Sequence, residues 1–253
     1  MSNLSVRNLL SQQNVKAKFE EILKGRAASF TANLAVIVNN NAMLSKCDPM
    51  TVISGAVIAA SLDLPLDPNL GFAALVPYGQ SAQFQVMYKG LIQLAQRSGQ
   101  YRTMGVTEIY EGQLISENPL TGEYDFDFSA KKSDTIVGYA AYFKLLNGFE
   151  KTEYWPVDKV QKHAKKYSKT YARNSGKWVD DFDAMAKKTV IKSLLSKWGV
   201  LSIEMQRAVT ADQAVVKDLD GTELQYTDND DSPAAFEVPE TATAKRGGDG
   251  TAE

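Results

Sequence analysis

The most informative side chains in this sequence form a row of cations between residues 157 and 177. Four lysines and an arginine recur there at steps of three and four residues, at Lys159, Lys162, Lys166, Lys169 and Arg173. Apolar and aromatic residues recur at the same steps, displaced by two positions, at Val157, Val160, Ala164, Tyr167 and Tyr171. Two positions correspond to about 200° on an α-helix, so the two stripes lie on nearly opposite faces. A helix that packs by one face and presents cations on the other suits contact with a polyanion backbone.

An ordinary solvated lysine face is the alternative interpretation of this row. Acidic residues one turn away usually neutralise such a face, but no Asp or Glu occurs between Lys159 and Lys177. We therefore predict that the row binds phosphate groups and that Lys177 extends it. The single histidine, His163, lies among these lysines. We predict that its side chain is solvated or faces phosphate, and that it is not a catalytic base.

Other cations and aromatic residues accompany the row. Trp178 directly follows Lys177, and its ring could stack on a base or anchor the core. Three further lysines lie on a predicted helix downstream, at Lys187, Lys188 and Lys192. Upstream, Tyr88 and Lys89 lie where a predicted strand meets a predicted helix. A cation at that junction would assist an anion held by the free N–H groups of the helix N-terminus.

Missing motifs argue against several classes of enzyme. The only Gly-Lys pair is Gly176-Lys177, and the residue after it is Trp178, so a P-loop ATPase is not expected. One histidine and one cysteine cannot build a Cys/His zinc site. The acidic cluster at 180, 181 and 183 falls at the start of a predicted helix, where it favours the positive end of the helix dipole. Metal binding by this cluster, as in a nuclease, is the alternative.

The net charge of −2 conceals an uneven distribution. Residues 144–197 contain 13 Lys or Arg against 6 Asp or Glu, whereas residues 211–253 contain 3 against 11. Residues 1–46 are basic as well, with 6 against 2. The local distribution therefore favours a nucleic-acid partner, although the net value alone would not.

The elements that must position these cations are predicted to form an α+β fold. N-terminal helices are expected over residues 1–64, including a buried one from about 49 to 62 that Asp48 would cap. A small antiparallel sheet interrupted by a helix should follow, with strands at 72–77, 82–88, 101–110, 124–128, 136–145 and 149–155 and the helix at 89–98. Two C-terminal basic helices are predicted at 156–173 and 180–198. The acidic tail from about residue 211 is predicted to be disordered.

Three regions are therefore expected: a helical N-terminal region (1–46) suited to oligomer contacts, a DNA-binding core (47–210) and the tail (211–253). The longest apolar run, 52–62, is far shorter than the ~20 residues of a membrane-spanning helix, so no membrane partner is expected. Residues 1–18 lack the apolar stretch of a secretory signal. The single cysteine, Cys47, fits a reducing compartment, and we expect a cytoplasmic location.

Several short motifs keep a fixed order and spacing between about residues 45 and 210. They are Cys47-Asp48-x-Met50, Leu62-x-Leu64-x-Leu66-Asp67, Gln85-x-x-Tyr88-Lys89-Gly90, Leu94-Ala95-x-Arg97-Ser98-Gly99, Trp178 with Met185-Ala186-Lys187-Lys188-Thr189, and Ser202-Ile203-Glu204-x-Gln206-Arg207-Ala208-Val209. Together they resemble the RecT family of phage single-strand DNA annealing proteins. Asp63 stands where the family pattern has glycine, which puts the geometry of that turn in question.

The resemblance implies a protein that binds single-stranded DNA and pairs it with a complementary strand without ATP. It would act as an oligomeric ring or filament in a bacterial or phage-infected cell, and not as an enzyme. No cofactor is implied, and the motifs do not indicate whether Mg²⁺ is needed. A phage exonuclease and the host single-strand binding protein are implied as possible partners.

For such a protein we predict a groove that holds the backbone of the first strand. Its cations would be Lys89, Arg97, Lys188, Lys192 and Arg207, and the row from Lys159 to Arg173 would extend it or recruit the second strand. Tyr88 and Trp178 would stack on bases or brace the groove wall. A structural role near Gly99 is the alternative for Arg97. With ~5 phosphates neutralised per protomer, log affinity should fall with log salt at a slope near −3.5.

Three other functions stay open from the residues alone: a passive protector of single strands, a metal-dependent nuclease and a phage structural protein. An annealer accelerates pairing of complementary oligonucleotides, a protector slows it, and a nuclease degrades them with Mg²⁺. Two expectations about variants accompany the annealing hypothesis. Charge reversal of Lys188 and Lys192 should abolish DNA binding and leave the fold intact, and deletion of residues 212–253 should preserve annealing.

Overall fold

The computed structural model describes residues 5–200 and 202–226, and over these ranges it has the predicted α+β architecture. Its N-terminal helices are α1 (Val6–Ser11), α2 (Gln13–Leu23), α3 (Ala27–Asn39) and α4 (Pro49–Ser61). Helix α4 is buried on every side because it consists of small and aliphatic residues. Its predicted start is confirmed, since the carboxylate of Asp48 accepts a hydrogen bond of 2.9 Å from the Met50 N–H.

The strands form three antiparallel sheets in the described part of the chain. They are β1 (Ala73–Tyr78), β2 (Ser81–Val86), β3 (Tyr101–Tyr110), β4 (Leu114–Asn118), β5 (Glu123–Phe126), β6 (Ile136–Leu145), β7 (Glu150–Pro156), β8 (Ala214–Val216) and β9 (Leu224–Tyr226). One sheet has the order β1-β2-β8-β9, a second has the order β3-β6-β7, and β4 pairs with β5 alone. Strand β4 was not predicted, and its hairpin with β5 packs aromatic rings against Tyr154 of β7.

The remaining helices are α5 (Tyr88–Arg97), α6 (Val157–Tyr167), α7 (Lys169–Ala172), α8 (Lys177–Asp180), α9 (Phe182–Trp198) and α10 (Ile203–Ala211). Helix α9 contacts all three strands of the β3-β6-β7 sheet, and it also contacts α5. It begins close to its predicted start, because the Asp181 carboxylate accepts a hydrogen bond of 3.2 Å from the Ala184 N–H. None of the described helices combines the length and apolar character that crossing a membrane requires.

The prediction of one basic helix from 156 to 173 is wrong, because the chain leaves helical geometry at Ser168 (φ −127°, ψ 105°). The Ser168 hydroxyl instead accepts a hydrogen bond of 3.2 Å from the Tyr171 N–H and caps the short helix α7. The predicted stripe of cations is therefore interrupted after Lys166. Arg173 follows α7 and no longer shares a helix face with the lysines of α6.

The predicted start of a disordered tail at about residue 211 is also wrong. Strand β8 is buried at all three positions, and its Ala214 and Val215 lie opposite Phe84 and Gln83 of β2. Strand β9 then pairs with β8. These strands are three residues each, too short for an alternation of apolar and polar residues to reveal them. The rest of the predicted tail lies outside the described residues.

The glycine of the Tyr88-Lys89-Gly90 motif has a packing role, because helix α5 lies close to the backbone just before β1. A Cβ on Gly90 would lie only 2.1 Å from the carbonyl oxygen of Phe72. We expect Gly90→Ala to destabilise the protein by about 1–3 kcal/mol, because the helix and the loop must move apart. The matched control is Gly105→Ala in β3, where a Cβ meets nothing within 4 Å. Urea unfolding compares the two variants, and equal stability would contradict this role.

Candidate nucleic-acid interface

Lys188 and Lys192 project from successive turns of α9 toward one buried carboxylate, that of Asp212. The Nζ of Lys188 lies 3.0 Å from Asp212 Oδ1, and the Nζ of Lys192 lies 2.7 Å from Oδ2. The backbone N–H of Val86, at the end of β2, donates to Oδ1 at 2.9 Å. These contacts join α9, the end of α10 and the first sheet. We name the three charged residues the Asp212 triad.

The Asp212 triad corrects the prediction that Lys188 lines an exposed groove. Lys188 is only 2% exposed and its ammonium group is bonded to Asp212, so it is not the open phosphate contact that was predicted. Burial lowers the pKa of Lys188, and Asp212 opposes that effect. Burial would by itself raise the pKa of Asp212, but the charges of Lys188 and Lys192 hold it below its ordinary value. Lys192 remains partly exposed, with 28% of its side chain accessible.

Trp178 is buried, which corrects its assignment to DNA binding and supports the alternative of a core anchor. Its ring is 6% exposed and packs against Phe182 at a centroid distance of 5.7 Å and against Tyr171 at 6.1 Å. His163 belongs to the same aromatic group, 4.6 Å from the ring of Tyr167. His163 is half-buried, and the prediction that it is solvated or faces phosphate stays a prediction. Tyr88 also packs against the core.

Three other predicted phosphate ligands are engaged by the protein itself. The guanidinium of Arg97 donates to the carbonyl oxygens of Leu62 and Asp63 at 2.6 and 2.8 Å, beyond the end of α4. This is the structural role that the sequence left open, and it ties α5 to a turn in which Asp63 has a positive φ of 49°. A glycine would adopt that angle without strain, and Asp is one of the few other residues that tolerate it.

Lys187 and Arg207 have protein partners as well. The Nζ of Lys187 lies 2.6 Å from a carboxylate oxygen of Glu108, and Arg207 donates to the carbonyl oxygen of Asp220 at 3.2 Å. Lys89 is exposed, and within the described residues no carboxylate lies at ion-pair distance from it. Of the five cations of the predicted groove, Lys188 is buried and Lys192 is bonded to Asp212. Arg97 and Arg207 are exposed but bonded to backbone carbonyl groups, and Lys89 is exposed.

Helix α6 presents the exposed cations that the sequence predicted. Lys159 lies over the ring of Trp155, with Nζ 4.3 Å from its centroid, and Lys166 lies 5.0 Å from the centroid of Tyr167. The Nζ of Lys162 lies 3.3 Å from a carboxylate oxygen of Asp158, one turn earlier in α6. Asp158 stands just before the stretch from Lys159 to Lys177 that contains no Asp or Glu. Lys165 is exposed beside them. Arg173 and Lys177 are exposed beyond α6, and the side chain of Lys169 lies outside the described part of the structure.

A pocket of about 270 Å³ opens beside these lysines, between α6, α9 and the start of β8. Its lining includes His163, Tyr167, Asp212 and Gln213, with Trp155 and Lys188 at its inner wall and Lys192 between them and solvent. We name this pocket, together with Lys159, Lys162, Lys165 and Lys166, the α6 surface. The arrangement combines ammonium groups for phosphates with the exposed ring of Tyr167 for a base, whereas Trp155 is buried beneath Lys159.

Sequence reasoning missed the rings of this surface. Trp155 was assigned only to the end of a strand, and Tyr167 only to the packing stripe. Their role depends on β7 leading directly into α6, which brings the end of one element against the face of the other. The Trp155-Pro156 junction is the signal that could have indicated this, since a proline at a strand end begins the helix there.

The acidic residues at 180, 181 and 183 do not converge on one point. Asp181 caps α9, and the carboxylate of Asp183 accepts a hydrogen bond from the Tyr139 hydroxyl. Among the described residues, no group of three or more His, Cys, Asp or Glu side chains could hold a metal ion. These contacts favour the helix-start interpretation of the cluster over a nuclease site.

His163 makes the stability of the protein sensitive to acid. Burial, with smaller contributions from Lys192 and Lys166, lowers the pKa of His163 to about 4, whereas an unfolded histidine titrates near 6.5. Between these values the unfolded chain binds more protons than the folded chain, so lowering the pH removes stability, by up to roughly 3 kcal/mol. We expect His163→Gln to lose this part of the pH dependence, as measured by urea unfolding at pH 7 and pH 4.5. If the free energy of unfolding falls by the same amount in both proteins between pH 7 and pH 4.5, this assignment of His163 is contradicted.

Comparison with known proteins places the chain in a family. The RecT family model matches residues 28–228. The chain is 52% identical over 218 residues to "Uncharacterized protein YqaK" of Bacillus subtilis (strain 168), covering 86% of this chain and 75% of that protein. It is 32% identical over 182 residues to "Protein RecT" of Escherichia coli (strain K12), covering 67% of this chain and 65% of that protein. The matched region includes the Asp212 triad and the α6 surface, and the chain belongs to the RecT family.

Proposed function

We propose that this chain binds single-stranded DNA through the α6 surface and anneals it to a complementary strand. Membership of the RecT family supports a role in single-strand annealing during recombination. The observation that carries the proposal is the row of exposed lysines on α6, in which Lys166 lies beside the exposed ring of Tyr167. A phosphate on Lys166 would place a neighbouring base near the ring of Tyr167.

Annealing requires a surface that neutralises two polyanions and leaves the base edges free to pair. Lysines bind phosphates as mobile point charges and read no sequence, so the α6 surface suits any strand. Lys192 would add a cation inside the pocket, held in place by Asp212. The proposal needs no nucleotide, since the sequence has no P-loop, and it assigns no catalytic residue and no cofactor.

One protomer offers only a few phosphate contacts, so the proposed activity involves an oligomer. Head-to-tail contacts between protomers would produce a ring or a filament, and the basic N-terminal helices are the proposed contact. A phage exonuclease and the host single-strand binding protein are proposed as further partners on the family resemblance alone.

The test is the rate at which two complementary oligonucleotides hybridise with and without the protein. We expect acceleration without ATP, and the same assay with EDTA measures any need for Mg²⁺. Slower pairing would indicate a passive protector, and degraded substrate with Mg²⁺ would indicate a nuclease. Either result would overturn the annealing proposal.

A variant of the α6 surface tests the assigned residues. We expect Lys159→Gln, Lys162→Gln and Lys166→Gln together to weaken single-strand binding and slow annealing. Because each phosphate contact contributes about 0.7 to the salt slope for single strands, the slope of log affinity against log salt should shrink by about 2. Fluorescence anisotropy with a labelled oligonucleotide measures both quantities.

The matched control removes the same charge elsewhere. Lys46, Lys132 and Lys217 are exposed and lie outside the α6 surface. Their joint change to Gln should leave the salt slope close to that of the unchanged protein. If both triple variants lose affinity equally, the binding reflects overall charge, and the α6 surface is not the site.

A further inference from the structure

The described chain ends beside the pocket of the α6 surface. Tyr226, the last residue of β9, lies opposite Ala214 of β8, and its hydroxyl donates to the carbonyl oxygen of Thr210. The residues just before Ala214, Asp212 and Gln213, line the pocket. Because neighbouring strands are about 4.8 Å apart, the described chain ends at Tyr226 one strand spacing from Ala214, next to the pocket-lining residue Gln213.

The sequence that continues from this point is acidic. Residues 227–240 contain five Asp or Glu and no Lys or Arg, whereas residues 159–177 contain seven Lys or Arg and no Asp or Glu. A segment of one charge therefore starts at the edge of a surface of the opposite charge. At such a short distance salt screens the attraction only partly, since the Debye length is about 8 Å at physiological ionic strength.

We propose that residues 227–240 fold back onto the α6 surface of their own chain and compete there with single-stranded DNA. This inference rests on the proposed function, because the competition has meaning only if the α6 surface binds DNA. The reach is sufficient: fourteen extended residues span up to about 50 Å, whereas the eleven residues of α6 span about 16 Å.

A tether makes a weak contact effective. A segment joined by a short flexible link has an effective concentration in the millimolar range, so a few surface ion pairs suffice to occupy the site. DNA that contacts one protomer must displace the segment alone. A long strand that contacts many protomers gains from all of them, so the acidic segment selects against short fragments.

Carbodiimide cross-linking of the full-length protein without DNA tests the contact directly. The reagent joins a carboxylate to a lysine amine only where the two are in contact. We expect links from Asp228, Asp230 and Asp231 to lysines of α6, identified by mass spectrometry. Lys46, Lys132 and Lys217 serve as exposed reference lysines, and links spread equally over them would overturn the proposal.

Mixing isotope-labelled and unlabelled protein identifies which chain supplies the segment. Links within one isotope class support the fold-back proposed here. Links that join the two classes would overturn it and assign the segment to a neighbouring copy. This readout does not depend on DNA binding, so it stands even if the proposed function fails.

A full-length variant with neutralised carboxylates tests the competition. It carries Asp228→Asn, Asp230→Asn, Asp231→Asn, Glu237→Gln and Glu240→Gln. We expect it to bind a short oligonucleotide on the order of tenfold more tightly at low salt, with the gain vanishing at high salt. The control, Asp249→Asn with Glu253→Gln, should gain much less. Unchanged affinity in a variant that still binds DNA would overturn the competition and leave the proposed function standing.

Discussion

Ending the chain at residue 211 is expected to unfold the protein, whereas ending it at residue 226 is expected to leave the fold intact. The first truncation removes Asp212, the one carboxylate at ion-pair distance from the buried Lys188 in the described structure. It also removes β8 and leaves the apolar strand β2 without a partner on that side. The second truncation keeps the Asp212 triad and both short strands.

The expected loss is comparable with the whole stability of a domain. Removing one partner of a buried ion pair typically costs about 3–5 kcal/mol, because the other charge stays buried and uncompensated. Loss of the buried side chains of Val215 and Val216 adds about 1.5–3 kcal/mol for each one. Total stabilities are typically about 5–15 kcal/mol, so little would remain.

Circular dichroism and limited proteolysis separate the two truncations. We expect a cooperative thermal transition for the chain that ends at 226, and rapid digestion without such a transition for the chain that ends at 211. The earlier expectation that deletion of 212–253 preserves annealing is therefore replaced by one that depends on the end point. A cooperative transition at an unchanged temperature in the shorter chain would contradict the structural role of Asp212.

Elements with local signals were predictable from the sequence. The cap and proline at Asp48-Pro49 indicated the start of α4, and the amphipathic pattern indicated exposed lysines on α6. Both are confirmed because short-range rules decide them. Capping is a contact between residues two or three positions apart, and an amphipathic face is read within one helix.

Features that depend on distant partners were not predictable in this way. Lys188 and Lys192 lie one turn apart and looked like a cationic face, but their partner Asp212 lies 20 residues or more beyond them. A buried lysine and an exposed lysine have the same sequence signature until the partner is known. The break at Ser168 is a different case, because it is local, but a serine inside a helical pattern can also be tolerated.

Charge reversal of Lys188 alone is expected to prevent folding, contrary to the expectation of an intact fold. Lys188→Glu would place a second carboxylate beside Asp212 in the core, and two buried like charges cannot both ionise. Lys192→Gln should cost far less, about 1 kcal/mol, because Lys192 is partly exposed and the pair of Lys188 with Asp212 remains. Only the Lys192 variant therefore tests DNA binding.

A neutral pair of substitutions separates charge from packing at this site. Lys188→Met keeps the apolar stem but leaves Asp212 with only Lys192, and we expect a loss of about 1–3 kcal/mol in urea unfolding. Adding Asp212→Asn removes the buried charge, and its amide oxygen can still accept from the Val86 N–H. Part of the lost stability should then return. If the double variant is less stable than Lys188→Met alone, the charge is not the cause.

The acid response gives an independent measure of the Asp212 triad. The folded-state pKa of Asp212 is below that of the unfolded chain, so the triad contributes stability above the unfolded pKa, and that contribution is lost as the pH falls through the folded pKa. Lys188→Met removes one of the two cations that lower this pKa. Its acid unfolding should therefore begin at a higher pH than that of the unchanged protein, whereas Lys188→Met with Asp212→Asn has no such carboxylate to titrate. Circular dichroism measures the pH midpoint of acid unfolding for each of the three proteins. Identical midpoints would show that the buried charges of α9 do not stabilise the fold on which the α6 surface is built.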